Sequence, residues 1–321
     1  MKLDHLEGLI PAPHTPMHAD CEINLAAIEQ QAQLFMNNNI SAAYICGSTG
    51  EGLSLTVNER IDIMKKWVEA AGSEIKVIAN VGHTCLKDAQ MLAEAAEKFG
   101  VYAISAMPPC YYKPKTPEDL VDFYAGIANS APKTPFYAYH TPIMSGVCFS
   151  MLDVLKLASE KIKTLAGIKY NHSDLMDYGL CRNYKDGRYE ILFGIDELLL
   201  SSLPYGTKAA IGSTYNYAAP LYFDIIEQYR LGNMEKACSL QSRSAHLVNV
   251  LLKYGVLQAG KSIMKLVGVD CGPTRLPVRP LTSKQFDDLQ KDLDAIGFFE
   301  MAVKKPVKHK SMNKMEISKA L

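Results

Sequence analysis

Thr164-Leu-Ala-Gly-Ile-Lys-Tyr-Asn171 is an apolar run of strand length with a lysine at its end. Leu165, Ala166 and Ile168 give it the composition of a buried strand, and Lys169 follows them. Taking an ammonium out of water costs several kcal/mol or drives its pKa down, so lysines are seldom buried unpaired. Two outcomes are open from this stretch alone. Either Lys169 runs its stem along the strand end and reaches solvent, or desolvation keeps its amine partly neutral. A neutral amine attacks ketones and aldehydes, which is the entry to Schiff-base catalysis.

Seven further runs of this kind lie at 8–13, 42–46, 76–81, 103–107, 135–139, 190–194 and 209–212, beside the one at 165–169. Between them are segments with helical spacing. The clearest is 56–71, with Val57, Ile61, Met64, Trp67 and Val68 on one face; others are 86–99, 117–129, 150–161 and 175–183. Thr56 with Glu59, and Thr116-Pro117 with Asp119, mark helix starts. Gly72 and Gly100 stand where helices should stop.

Eight strands, each followed by a helical segment, predict a parallel sheet of βαβ units. Eight such units close into a (β/α)8 TIM barrel of about 250 residues. A doubly wound open sheet is the alternative, and the even spacing favours closure. Residues 1–300 then form a single barrel domain, in which 233–300 is an appended C-terminal helical extension with helices over 234–254, 257–267 and 283–295. Residues 301–321, with six lysines from Lys304 to Lys319, read as a disordered, solvated basic tail or as a contact for acidic partners.

Composition narrows the function classes. The 34 basic and 34 acidic residues cancel, which gives no electrostatic reason to expect nucleic acid or a membrane surface as partner. No apolar run approaches the ~20 residues of a transmembrane helix. The start Met1-Lys-Leu-Asp-His-Leu-Glu7 lacks a signal-peptide core, so a cytoplasmic protein is expected. The eight cysteines contain no C-x-x-C pair, and Cys46 and Cys148, within apolar segments, read as reduced packing residues.

A barrel of this type carries its chemistry at the C-terminal ends of the strands. After the second strand comes Gly47-Ser-Thr-Gly-Glu-Gly52, which is either a plain tight turn or a set of backbone and hydroxyl donors suited to a carboxylate. It is neither a P-loop nor a dinucleotide fingerprint. After the fourth comes Pro108-Pro-Cys-Tyr-Tyr-Lys-Pro114, an aromatic pair that could cover the barrel mouth. The fifth ends Phe136-Tyr-Ala-Tyr-His-Thr-Pro142, with Tyr137 and Tyr139 on one face. Tyr139 is a core phenol or, beside a cation, a general base of lowered pKa. The seventh ends Phe193-Gly-Ile-Asp-Glu197, two carboxylates at the rim that either favour a helix N-terminus or accept from substrate hydroxyls. The eighth ends Ile211-Gly-Ser-Thr-Tyr-Asn216. His14 and His18 straddle Pro16, and no H-E-x-x-H or nucleophile elbow is present. A lysine, a tyrosine, hydroxyl-glycine loops and acids fit carbonyl chemistry through an imine, with no cofactor and no metal.

From about Leu6 to Phe299 the sequence resembles the N-acetylneuraminate lyase subgroup of the dihydrodipicolinate synthase superfamily. The anchors are Gly47-Ser-Thr-Gly-Glu51, Tyr139-His-Thr-Pro142 with Ser145-Gly146, Gly167-Ile-Lys169, Phe193-Gly-Ile-Asp-Glu197 and Gly212-Ser-Thr-Tyr-Asn216. The resemblance implies a (β/α)8 barrel, a homotetramer, a small-molecule substrate and a class I aldolase that cleaves N-acetylneuraminate reversibly to pyruvate and N-acetylmannosamine. It implies Lys169 as the Schiff-base lysine and Tyr139 as the proton donor and acceptor. Ser48 and Thr49 would hold the pyruvate carboxylate, with Thr49 also in the proton relay, and Tyr112 would act across a subunit interface. Gly194, Asp196, Glu197 and Ser213 would hold the hydroxyl tail. Asn171, also expected to bind substrate, stands where many bacterial relatives have threonine; His140 and Thr141 also differ from that pattern. Dihydrodipicolinate synthases carry an arginine where this chain has Met144, so the clamp for a second carboxylate is missing. Another 2-oxo-acid aldolase of the same fold, or a catalytically silent sialate or pyruvate sensor, remains as an alternative.

Overall fold

The computed structural model describes residues 5–303. Eight strands run in parallel: β1 (Gly8–Pro11), β2 (Ala42–Ile45), β3 (Lys76–Asn80), β4 (Ala103–Ala106), β5 (Phe136–His140), β6 (Leu165–Tyr170), β7 (Glu190–Phe193) and β8 (Ala209–Gly212). Their order is β1-β8-β7-β6-β5-β4-β3-β2. The terminal members β1 and β2 lie against each other, so the sheet curls into a nearly closed barrel.

Helices cover the outside. Those of the barrel are α1 (Ala26–Met36), α2 (Val57–Ala71), α3 (Leu86–Phe99), α4 (Pro117–Ala128), the short α5 (Pro142–Ser145), α6 (Met151–Lys161), α7 (Leu175–Asn183), the short α8 (Leu199–Ser202) and α9 (Tyr215–Arg230). The extension adds α10 (Met234–Tyr254), α11 (Val256–Leu266), α12 (Ser283–Ala295) and α13 (Phe298–Met301). Local signals work as their chemistry dictates. Thr56 and Thr116 close capping boxes with Glu59 and Asp119, and Gly100 ends α3 at a φ of 75°. The kink at Ala218, two residues before Pro220, divides α9.

The apolar residues fall into two layers. One fills the space between strands and helices, with Trp67 fully buried against Phe35. The other fills the barrel interior, with Tyr44, Ile78, Tyr137, Tyr139 and Ile211, and Leu6 reaching in from the N-terminal side of β1. Cys46 is buried as expected, but Cys148 is exposed, because it lies in the coil between α5 and α6 rather than in a packed element. Met301 and Val303 are buried, and the Val303 amide donates to the Tyr217 carbonyl at 2.9 Å. The lysines from Lys304 onward lie outside the described residues.

β6 departs from simple alternation. Leu165 pairs with Phe136, but the next residue of β5, Tyr137, pairs with Gly167. Ala166 is therefore an extra residue, a β-bulge. Leu165 and Ile168 face the helices while Ala166 belongs to the interior. Without the bulge, a period of two from Ala166 would send Lys169 outward; with it, Lys169 turns into the barrel. Gly167 sits where any Cβ would collide with the Glu190 carbonyl, so this close strand approach requires glycine.

Candidate active site

Lys169 is 4% exposed, so it does not reach solvent along the strand end. Its Nζ lies over two aromatic faces, 3.6 Å from the Tyr44 ring centroid and 4.2 Å from that of Tyr139. The position follows from register: Tyr139 of β5 is the direct neighbour of Lys169 on β6. Burial lowers the lysine pKa from 10.5 to about 7, against a smaller upward pull from the charge of Asp196. Near neutrality a large share of this amine is unprotonated, as a carbonyl nucleophile must be.

Tyr139 is also buried, and burial raises its phenol above the ordinary value of 10.0 despite hydrogen bonds to Ser48 and Thr141. The lowering that a nearby cation would bring does not occur; loss of solvent dominates, as for a core phenol. Tyr139 is thus a protonated phenol, able to donate a proton and to receive one as it does so. Its hydroxyl lies 3.5 Å from Ser48 Oγ, which connects β5 to the loop after β2.

That loop presents Ser48 to solvent and leaves Thr49 half-buried. Its backbone is fastened from beneath. Asn80 Nδ2 donates to the Cys46 carbonyl at 2.9 Å, and Thr15 Oγ1 to that of Gly50 at 2.6 Å. Gly52 is required, because a Cβ there would overlap the Cys46 carbonyl.

Asp196 is buried rather than placed at the rim. Its Oδ2 accepts from the amide and hydroxyl of Thr214, at 2.9 and 2.6 Å, while Oδ1 makes no well-formed hydrogen bond and the Tyr215 hydroxyl lies close to the carboxylate. Burial raises its pKa to about 7, with the Thr214 hydrogen bonds opposing that rise. The loop backbone is held from α10, where Gln241 Nε2 and Ser244 Oγ donate to the Asp196 carbonyl at 3.3 and 3.4 Å. Glu197, Gly194 and Ser213 are half-buried beside it. Asn171 Nδ2 donates to Thr141 Oγ1 at 3.3 Å, and a Cβ on Gly194 would come 3.0 Å from Asn171 Oδ1. Gly194 thus lets the ends of β6 and β7 approach closely.

One expected participant, Tyr112, lies elsewhere. Tyr112 is 86% exposed, edge-on to Tyr111, and is not among the groups packed around Lys169. His140 packs outside the barrel against Tyr170 and His172, where burial first and then His172 lower its pKa to about 4. Sequence reasoning missed Tyr44, whose ring is nearest the lysine, and Thr214, the donor to Asp196. A tyrosine inside the apolar 42–46 run carries no mark that separates it from core. Thr214 lies in the loop after β8, yet its partner in the loop after β7 is visible only in three dimensions.

The arrangement offers a half-neutral amine, a phenol, hydroxyl donors and a carboxyl group converging on one end of a parallel barrel. The sequence profile of the dihydrodipicolinate synthetase family matches residues 5–296. The chain is 36% identical over 289 residues to N-acetylneuraminate lyase A of Xenopus laevis, covering 88% of this chain and 93% of that protein. It is 36% identical over 306 residues to the N-acetylneuraminate lyase of Homo sapiens, covering 92% and 95%. Among solved structures, Proteus mirabilis N-acetylneuraminate lyase superposes with a TM-score of 0.89 at 37% identity, covering 91% of this chain and 99% of that one. The native N-acetylneuraminate lyase of Aliivibrio salmonicida gives 0.90 at 37% identity, covering 93% and 98%. A match of this extent in sequence and fold makes the chain a member of the dihydrodipicolinate synthetase family.

Proposed function

We propose that this protein is a carbon–carbon lyase, a class I aldolase that cleaves N-acetylneuraminate to pyruvate and N-acetylmannosamine and runs the reverse reaction. The carrying observation is the buried Lys169 amine with its pKa near 7, set against Tyr139. The named relatives at 36–37% identity over about nine-tenths of the chain support the substrate. Met144 supports it too, standing where a second-carboxylate clamp would need an arginine.

Neutral Lys169 adds to the C2 ketone of the open-chain substrate, and loss of water leaves a protonated imine. Ser48 and Thr49 hold the substrate carboxylate, which fixes the ketone over the amine and supplies positioning catalysis. The cationic imine is an electron sink beside C3. As the C3–C4 bond breaks, Tyr139 takes the C4 hydroxyl proton and passes its own to the substrate carboxylate, so the phenol ends neutral. N-acetylmannosamine leaves as the aldehyde. The carboxylic proton then returns to C3 of the enamine, and water releases pyruvate and free Lys169. Gly194, Asp196, Glu197, Ser213 and Asn171 receive the hydroxyl tail. Tyr112, exposed in the single chain, fits a role completed by a neighbouring copy in a homotetramer. Among the described residues no helix is long and apolar enough to cross a membrane. A cytoplasmic enzyme of sialic acid catabolism is the setting we assign.

Borohydride reduction in the presence of pyruvate should trap a stable adduct on the wild-type chain, localised to Lys169 by peptide mass. An adduct of equal yield in Lys169→Ala would sink the assignment. A panel of 2-oxo sugar acids assayed for pyruvate release distinguishes N-acetylneuraminate from other 2-oxo acids, and an enzyme that turns over none of them would be a sensor.

A further inference from the structure

The loop after β2 contains a charged residue that does not face the barrel. Glu51 adopts a φ of 55°, in the left-handed region that residues other than glycine seldom occupy, and Cys46 at the loop's start does the same at 56°. Two such residues within one short loop persist only where surrounding contacts over-determine them. For Glu51 those contacts come from the C-terminal extension. Its Oε1 lies 2.7 Å from Lys261 Nζ of α11, in an ion pair whose two side chains are each 2% exposed. Its Oε2 accepts from the Arg275 amide at 2.9 Å. Lys261 Nζ also donates to the Pro273 carbonyl at 2.6 Å, which closes a ring of loop, helix and the segment between α11 and α12. Arg275 adds a second fastening through its guanidinium, at 3.1 Å to the Ser54 carbonyl and 2.8 Å to Glu59.

Burying both charges this completely is costly, and buried ion pairs are weak contributors to stability compared with apolar packing. The place of this pair suggests what it does instead. Glu51 follows Ser48 and Thr49 by only a few residues, and its carboxylate is the point where the C-terminal extension ties down an otherwise strained turn. We infer that Glu51 and Lys261 are a positioning pair, holding the Ser48–Thr49 turn in the shape that receives the carboxylate of a 2-oxo acid. The inference rests on the imine chemistry proposed above. Neither residue touches the reacting atoms; both act through the turn. The extension is thus a working part of the carboxylate subsite.

The test uses the full-length chain and pyruvate, with borohydride trapping on Lys169 as the readout. Lys261→Met should raise the pyruvate concentration that half-saturates trapping on the order of tenfold, since small displacements of positioning groups carry large effects. The pH dependence of trapping at saturating pyruvate should stay that of the wild type, because Lys169 and its surroundings are untouched. Lys261→Met alone leaves Glu51 buried and unpaired and can fail to fold. The double variant Glu51→Gln with Lys261→Met removes both charges; it should regain thermal stability and still need the higher pyruvate concentration. Tyr137→Phe, at the opposite end of the barrel, should lower stability with no change in half-saturation. A folded double variant that traps at wild-type pyruvate concentrations overturns the inference, as does an equal rise in Tyr137→Phe, which would mark general loosening. Failure of the wild type to trap pyruvate at all refutes the aldolase function itself and is thereby told apart.

Discussion

The two ends of the barrel interior treat buried acids in opposite ways. At the N-terminal end, Glu190 of β7 is surrounded by donors: the Leu6 amide at 2.8 Å, His5 Nδ1 at 3.1 Å and the Tyr137 hydroxyl. Its polar atoms are paired, and it closes the floor of the barrel. At the C-terminal end, Asp196 keeps one oxygen short of a well-formed hydrogen bond and titrates near 7, and Lys169 rests on aromatic faces with no carboxylate bonded to it. Of these two ends, the floor pairs its buried acid within the protein, and the surroundings of Lys169 pair theirs less fully. Unpaired groups in a low-dielectric site cost stability and gain reactivity.

The sharpest way to break this contrast is at Lys169. Lys169→Met should abolish pyruvate trapping and sialic acid cleavage completely. It should also change how stability depends on pH. The amine titrates near 7 in the fold and 10.5 in the unfolded chain, so between these values the unfolded state binds more protons. Wild-type stability from this group therefore rises from about pH 7 to 10.5, and Lys169→Met should lose that slope in urea melts across the range. A wild-type slope of the opposite sign would contradict a desolvated amine.

Next in size is Tyr139→Phe, expected to lower kcat for cleavage by roughly 10²–10⁴-fold, while the pyruvate adduct on Lys169 still forms. Equal loss of both reactions would place Tyr139 in imine formation instead of proton transfer. A smaller effect is expected at Asp196. The trapping rate should rise with pH through about 7 in the wild type, following the neutral amine. Asp196 pulls that value upward, so Asp196→Asn should shift the acid limb to lower pH, read from single-turnover trapping profiles. At the barrel floor, Glu190→Gln should cost about 1–3 kcal/mol of stability with kcat changed less than about twofold. A floor variant that altered kcat as strongly as Tyr139→Phe would erase the distinction between the two ends.

Much of the fold was legible in local patterns along the chain. Eight strands alternating with helices pointed to a barrel over a doubly wound open sheet, because eight evenly spaced βαβ units favour closure. The capping boxes at Thr56 and Thr116 and the helices over 234–254 and 283–295 were legible for the same local reasons. Lys169, Tyr139 and Asp196 were legible as polar residues at the ends of apolar runs. Tertiary structure alone decided how those residues behave. The sequence placed Asp196 at the rim and left Tyr139 open between a core phenol and an acidified base; burial decided both, and no local pattern reports it. Tyr44, Thr214 and Lys261 act on partners far along the chain, beyond the reach of periodicity. Lys169 itself shows the division most clearly. Its strand was readable from three apolar neighbours, but which way its amine points depended on Ala166 standing as one extra residue against β5. Register belongs to a pair of strands, so a single stretch of sequence cannot carry it.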